Sequence, residues 1–223
     1  MSPDPLNSGP MQTDDLIEAL AGRLEPVSSR APLWRLTLWV GGGAVVSAVL
    51  MLLWLGPRAD FMSAMGTSMF WTKFAYTAAL GGLALWLVER MGRPGARVDR
   101  PVRMLQSVLV GFVVLAGVRL FTAPMPERHH LIMGHSAMLC PWYILALSVP
   151  LLVGLLVALR GFAPTRPTLT GLAAGLAAGG LAAFVYAFSC NESAMPFVAM
   201  WYTLPVLAAG VLGAAAGRFA LRW

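Results

Sequence analysis

Charge is what this chain has least of. Only 12% of its 223 residues are charged, against 58% that are hydrophobic, and a soluble globular domain carries about twice that charge. The mean hydropathy of +0.71 agrees. Both argue against an ordinary cytosolic enzyme, and against a disordered chain, which needs low hydrophobicity. Cysteine is scarce as well: two residues exclude a disulfide-dense secreted scaffold. Also missing are the CxxC and HxxxH spacings of redox and metal sites and any glycine-rich phosphate loop after a strand. No catalytic constellation emerges, so an enzyme is not expected. What remains is a polytopic, all-α membrane protein.

A bilayer core takes about 20 apolar residues per helix. Six stretches meet that length, near 36–55, 70–88, 102–120, 136–159, 169–188 and 197–219. Clusters of Arg, Pro and Gly separate them (GPRAD, ERMGRPGARVDRPVR, PMPERHH and RGFAPTRPT), and such residues end helices. The start MSPDPLNSGP is polar and lacks basic residues, so a cleavable leader is not expected. Residues 1–33 read as a cytoplasmic arm and 34–223 as a six-span membrane domain.

The basic residues then set an orientation. Arg23, Arg30, Arg35, Arg90, Arg93, Arg97, Arg100, Arg103, Arg160, Arg166, Arg218 and Arg222 fall on one side of the six spans. Arg58, Lys73, Arg119 and Arg128 fall on the other. Positive charge is retained in the cytoplasm, which puts both termini there. The pI near 10.1 is thereby a matter of topology, and no direct nucleic-acid partner is expected. Trp54, Trp71, Trp142 and Trp201 fall near outer ends, and Trp34, Trp86 and Trp223 near inner ends, as indoles favour the headgroup zone.

Inside the spans the chain is again poor in charge. No Asp, Glu, Lys or Arg lies near the middle of a span, and Lys73, Arg103 and Arg119 are close enough to the ends to snorkel. An ion-coupled transporter needs more than this. Gln106, Ser107, Ser148 and Tyr186 are the more polar interior residues and read as packing glue. Gly171, Gly175 and Gly179 recur every four residues and share one helix face, with Gly213 and Gly217 in the last span. Close packing within the bundle accounts for them better than a homodimer face.

Two places stand out for function. The arm before Arg30 holds Asp4, Asp14, Asp15, Glu18 and Glu25 against Arg23 alone, a side-chain charge of −4. Within it TDDLIEALAGRLEP reads as a short amphipathic helix, capped by Thr13 and stopped by Pro26. Leu16, Ile17, Leu20 and Leu24 form its apolar stripe; Asp14, Asp15 and Glu18 are its acidic first turns. Being acidic, it would be repelled by anionic lipid. It suits a groove on a basic protein, or else folds back onto the bundle. The second place is the outer face. Cys140 begins the fourth span and Cys190 follows the fifth, so antiparallel neighbours carry both thiols to one end. They are either a pair or two unrelated buried thiols. His129, His130, His135 and Met62, Met65, Met69, Met125, Met133, Met138, Met195 and Met200 lie on or near the same face. Thiolate, thioether and imidazole are soft-metal donors, so Cys140, Cys190 and the three histidines are candidate ligands for a transient soft or heavy metal ion, with no resident cofactor.

The segments DDLIEALAGRLEPV, GHSAMLCPW, RGFAPTRPTLTGLAAG, FVYAFSCNESAMPFVAMWY and GRFALRW make the chain resemble the NrsF family of bacterial anti-sigma factors. The resemblance implies a six-span inner-membrane protein that holds an extracytoplasmic-function sigma factor inactive. It implies that Cys140 and Cys190 are the family's paired periplasmic cysteines, linked with heavy-metal or oxidative stress. It makes the acidic arm the sigma-binding segment, with membrane lipid as the other partner. The alternatives are a membrane thiol-disulfide oxidoreductase, which would need a second redox pair, and a small-solute or metal transporter.

Overall fold

The computed structural model describes residues 31–222 other than 94 and 163, together with Thr13, Ile17, Glu18 and Gly22. The described residues are all-helical, with no strand among them. The helices are α1 (Ala31–Trp54), α2 (Phe61–Ala64), α3 (Ser68–Met91), α4 (Asp99–Thr122), α5 (Met125–Met133), α6 (Cys140–Leu159), α7 (Pro167–Tyr186), α8 (Met195–Trp201) and α9 (Thr203–Ala220).

Among the described residues five segments are long and apolar enough to cross a membrane: Leu33–Trp54, Asp99–Thr122, Cys140–Leu159, Pro167–Tyr186 and Met195–Ala220. Six were expected. The difference is α3, which has 24 residues but carries Thr72, Lys73, Tyr76 and Thr77 in its first half. Three of these, Lys73, Tyr76 and Thr77, are buried in protein, so the polarity of α3 is matched by its neighbours rather than by lipid. The last span is interrupted at Tyr202 between α8 and α9. Pro205 stands four residues after Trp201 and cannot donate to its carbonyl, and that missing bond breaks a helix. The PMPERHH linker, expected as a breaker, holds the nine-residue α5, with a proline in its first turn where no N–H is needed.

The centre of the bundle is α7. It packs most extensively on α9, then on α3 and α6, and its alanines and glycines are buried on nearly every side. A Cβ on Gly175 would collide with the Ala209 carbonyl, and one on Gly171 with the Gly213 carbonyl. Gly180 meets the Gly81 backbone of α3, 2.6 Å from where its Cβ would stand. The expected glycine face is therefore a packing face inside the bundle. By contrast α4 is peripheral. Val110, Val113, Val114, Leu115 and Val118 are exposed, and its main polar-aromatic anchor is Phe112, stacked on Tyr76 at 3.8 Å between centroids. α1 approaches α6 where Gly43 nears Leu151, and Ser47 Oγ donates to the Leu147 carbonyl at 2.7 Å.

The polar residues expected as glue divide. Ser107 and Ser148 bond carbonyls of their own helices, Gln106 is exposed, and Tyr186 turns to the cysteines. Trp54, Trp71, Trp142 and Trp34 are exposed, as interfacial indoles would be; Trp223 lies outside the described residues. In the arm, Thr13, Ile17 and Glu18 are helical, and the Gly22 amide donates to the Glu18 carbonyl at 2.8 Å. Asp14, Asp15, Leu16, Leu20 and Leu24 lie outside the described residues.

Replacing Gly175 by Val should force α7 off α9 and lower stability by about 1–3 kcal/mol, as overpacking does. Gly111→Ala, where the added Cβ meets nothing within 4 Å, should leave it unchanged or slightly raised. Thermal unfolding in detergent measures both; equal effects would contradict the packing.

Candidate thiol site

Cys140 is the first residue of α6, and Cys190 lies in the segment joining α7 to α8. Because α6 and α7 are antiparallel neighbours, both arrive at one end. Their sulfurs stand 3.9 Å apart and are not bonded to each other. Cys140 Sγ is 3.0 Å from the Tyr186 hydroxyl and 3.2 Å from Ser136 Oγ. Both cysteines are buried. The pair is thus real as a geometric unit.

What holds Cys190 in place is a set of cations. Lys73, expected to snorkel, is instead 1% exposed. Its Nζ donates to the Cys190 carbonyl at 2.8 Å and the Glu192 carbonyl at 2.9 Å, and it lies 5.7 Å from the Tyr202 ring centroid. Buried ammonium groups require such partners. Arg58 adds a donor to the Cys190 carbonyl at 3.3 Å and grips Asp60 with two bonds of 2.7 Å. That bidentate pair holds the Asp60 carboxyl below its usual range. The Arg58 amide also donates to the Phe188 carbonyl, and Ser189 Oγ to the Gly56 carbonyl. Phe61, Phe70, Phe74 and Phe188 close an aromatic cluster over the same turn.

The Cys190 thiol is lowered to about 6, first by the hydrogen bond from Cys140 and then, against the cost of burial, by the Lys73 ammonium. The fully buried Tyr202 hydroxyl meets no oxygen or nitrogen partner. Its ring lies 5.8 Å from that of Tyr186, and the hydroxyl faces Cys190, where it adds to the groups that favour the thiolate. A cavity of about 810 Å³ reaches Arg58, Asp60 and residues 193–196, just past Cys190, and is bounded on its far side by Arg119 and Glu127.

The histidines sit apart from the thiols. His130 and His135 pack edge to face at 5.1 Å, and the His135 amide donates to Glu192 Oε1 at 2.7 Å. All three histidine side chains are exposed. Among the described residues no three His, Cys, Asp or Glu side chains gather where one ion would touch them. Glu192 in turn lies over Gly134, whose φ is +47° and where a Cβ would stand 2.7 Å from the carboxylate; only glycine serves both conditions.

Residues 20–223 match the family described as negative regulator of sigma F, NrsF. The chain belongs to the NrsF family. It is 42% identical over 215 residues to the anti-sigma-F factor NrsF of Caulobacter vibrioides (strain NA1000 / CB15N), covering 96% of this chain and all of that one. It is 37% identical over 213 residues to the probable anti-sigma-F factor NrsF of Azospira oryzae (strain ATCC BAA-33 / DSM 13638 / PS), with 96% and 100% covered. No solved structure matches. The family is one of negative regulators.

Sequence reasoning passed over Lys73, Arg58, Tyr202 and Glu192. For Lys73 a signal existed: Lys73, Tyr76, Thr77, Gly81 and Ala84 follow a helical period on one face of α3. Arg58 and Tyr202 had none, as their partners are 132 residues and more than 100 residues away in sequence.

Lys73→Met should strip one donor from two buried carbonyls and remove the charge that favours the Cys190 thiolate. The pH midpoint for reaction of Cys190 with a small thiol reagent, followed in Cys140→Ser and Cys140→Ser/Lys73→Met backgrounds, should move upward. Lys73→Arg should restore part of it. An unmoved midpoint would show that the ammonium does not act on the thiol.

Proposed function

We propose that this protein is a six-span inner-membrane anti-sigma factor with both termini in the cytoplasm. Its acidic arm sequesters an extracytoplasmic-function sigma factor, and the Cys140–Cys190 pair receives a periplasmic heavy-metal or oxidative signal. The observation that carries the sensing part is the 3.9 Å separation of two buried thiols. Two thiolates on one tetrahedral soft metal lie about 3.8 Å apart, given metal–sulfur bonds of about 2.3 Å. A disulfide requires closure to about 2.0 Å. Metal capture therefore suits the resting spacing, and oxidation demands a shift.

Each route is a defined change. A divalent soft metal displaces the one remaining proton, that of Cys140, and binds both sulfurs. A two-electron oxidant such as hydrogen peroxide takes two electrons from the thiolate–thiol pair, the Cys140 proton leaves with the reduced oxidant as water and hydroxide, and a sulfur–sulfur bond forms. Either outcome withdraws the free Cys190 thiolate from the buried Lys73 ammonium. The turn tied by Lys73 and Arg58 then loses an electrostatic partner. α7, wedged against α9 through its glycines, passes that change along its length as a rigid element. The signal must favour one arrangement over the other for this to move anything.

The name borne by the relatives supports the partner, and the arm's charge and stripe support the contact. Leu16→Asp or Leu20→Asp would bury an unpaired charge in the partner's groove, a cost of about 3 kcal/mol or about a hundredfold in affinity. Co-purification with the sigma factor should fall accordingly, and its regulon should rise without inducer. Full repression at normal protein abundance would remove the arm as the contact.

Cys140→Ser and Cys190→Ser should each blunt the response, and the double mutant should match either single one, because one shared bridge is lost in every case. Serine is similar in size but a poor soft-metal ligand. If both single mutants respond to every inducer with wild-type amplitude, sensing resides elsewhere.

A further inference from the structure

At the end of the bundle opposite the cysteines, the last turn of α3, the first turns of α4 and the segment between them carry Arg90, Arg93, Arg97, Arg100 and Arg103. At this end Arg35 donates to the Val157 carbonyl, Arg160 to the Ala220 carbonyl and Arg103 to the Asp99 carbonyl. Arg93 pairs with Glu89 at 2.6 Å. The other four line one cavity of about 440 Å³ with Trp86, Pro101 and a single carboxylate, Asp99. Four guanidinium groups against one carboxylate leave the cup at +3. Among the described residues none of the four has a carboxylate within 4.0 Å. Arg90 lies 5.8 Å from the centroid of Trp86.

Trp86 has a second surface. It also borders a mainly apolar groove of about 480 Å³ between α1 and α3, lined by Leu33, Leu36, Val40, Leu85 and the glycines Gly41 and Gly82, with Thr37 and the Arg93-paired Glu89 also on its wall. A Cβ on either glycine would meet nothing within 4 Å, so the groove is hollow where the glycines stand. A basic cup thus adjoins an apolar channel, with an indole as the shared wall. This is the order of a phospholipid: phosphate, glycerol region, acyl chain. Basic pockets at helix ends take anionic headgroups, and indoles lie at the headgroup boundary.

We propose that the cup and the groove form a site for one anionic phospholipid, with its phosphate on Arg90, Arg97, Arg100 and Arg103 and an acyl chain running past Trp86 between Gly41 and Gly82. A free phosphate ion satisfies the cup but not the groove. The inference rests on the membrane reading and on neither the thiols nor the sigma factor.

The test uses the full chain, purified in detergent and stripped of lipid. Phosphatidylglycerol, phosphatidylethanolamine with the same chains, and inorganic phosphate are titrated, with retained lipid measured by mass spectrometry and unfolding by thermal shift. The anionic lipid should be retained at concentrations about tenfold lower than the zwitterionic one, and phosphate alone should give no shift. Arg97→Gln/Arg100→Gln/Arg103→Gln should weaken anionic-lipid binding about tenfold or more and erase the preference. Gly41→Leu should weaken both lipids while the arginines remain, which keeps the idea testable if the triple variant does not fold. Equal retention of the two lipids, an equal shift by phosphate, or unchanged affinity in the variants would overturn it. Loss of an acidic protein partner with unchanged lipid binding would assign the cup to protein instead. Solubility without detergent would overturn the membrane reading itself.

Discussion

Everything in this bundle depends on how closely α7 can be approached. Between helices in lipid there is no hydrophobic gain to draw them together, so short-range packing must supply it. Gly171 and Gly175 let α9 come to backbone contact, and Gly180 lets α3 do so against Gly81. With a side chain at any of these points the three helices would separate. The termini of α7 would then no longer be held, and Cys190, four residues beyond its end, would lose its relation to Cys140. The glycine face is remote from the thiols, yet it sets their distance.

The cysteine end solves a different problem, that of keeping polar backbone in a dry place. The turn after α7 leaves its carbonyls outside any helix, and a buried carbonyl without a donor is costly. Lys73 and Arg58 satisfy the Cys190 carbonyl together, and Lys73 satisfies that of Glu192. The same charges favour the thiolate at Cys190. Structural need and thiol chemistry are therefore served by one pair of cations, so a change in thiol charge is felt by the turn that holds it. The two ends differ in kind: cations are turned inward at the cysteine end, and arginines spread into an open cup at the other.

Much of the architecture was legible before any coordinates. Hydropathy located the long helices to within a few residues, since a buried or lipid-facing helix must be apolar over its length. The four-residue glycine spacing identified the packing face, because that period stacks residues on one side of a helix. Antiparallel connectivity placed Cys140 and Cys190 at the same end. Hydropathy averaged α3 as one apolar run and could not say that its polar residues face protein. Nor did it show that Pro205 splits the last span at Tyr202, since a proline in a span ends, kinks or is absorbed depending on its neighbours.

By itself, then, the sequence determined the long helices, their order, which residues were small enough to let them touch, and the family. The tertiary structure decided which way each polar side chain points and what it meets. Lys73 turns inward because carbonyls from a segment 117 residues away are waiting there. Glu192, two residues past Cys190, holds the His135 amide from a position 57 residues away. Periodicity is local and carries a residue's place on its own helix; the partner opposite is set by packing between distant segments, which no local pattern records.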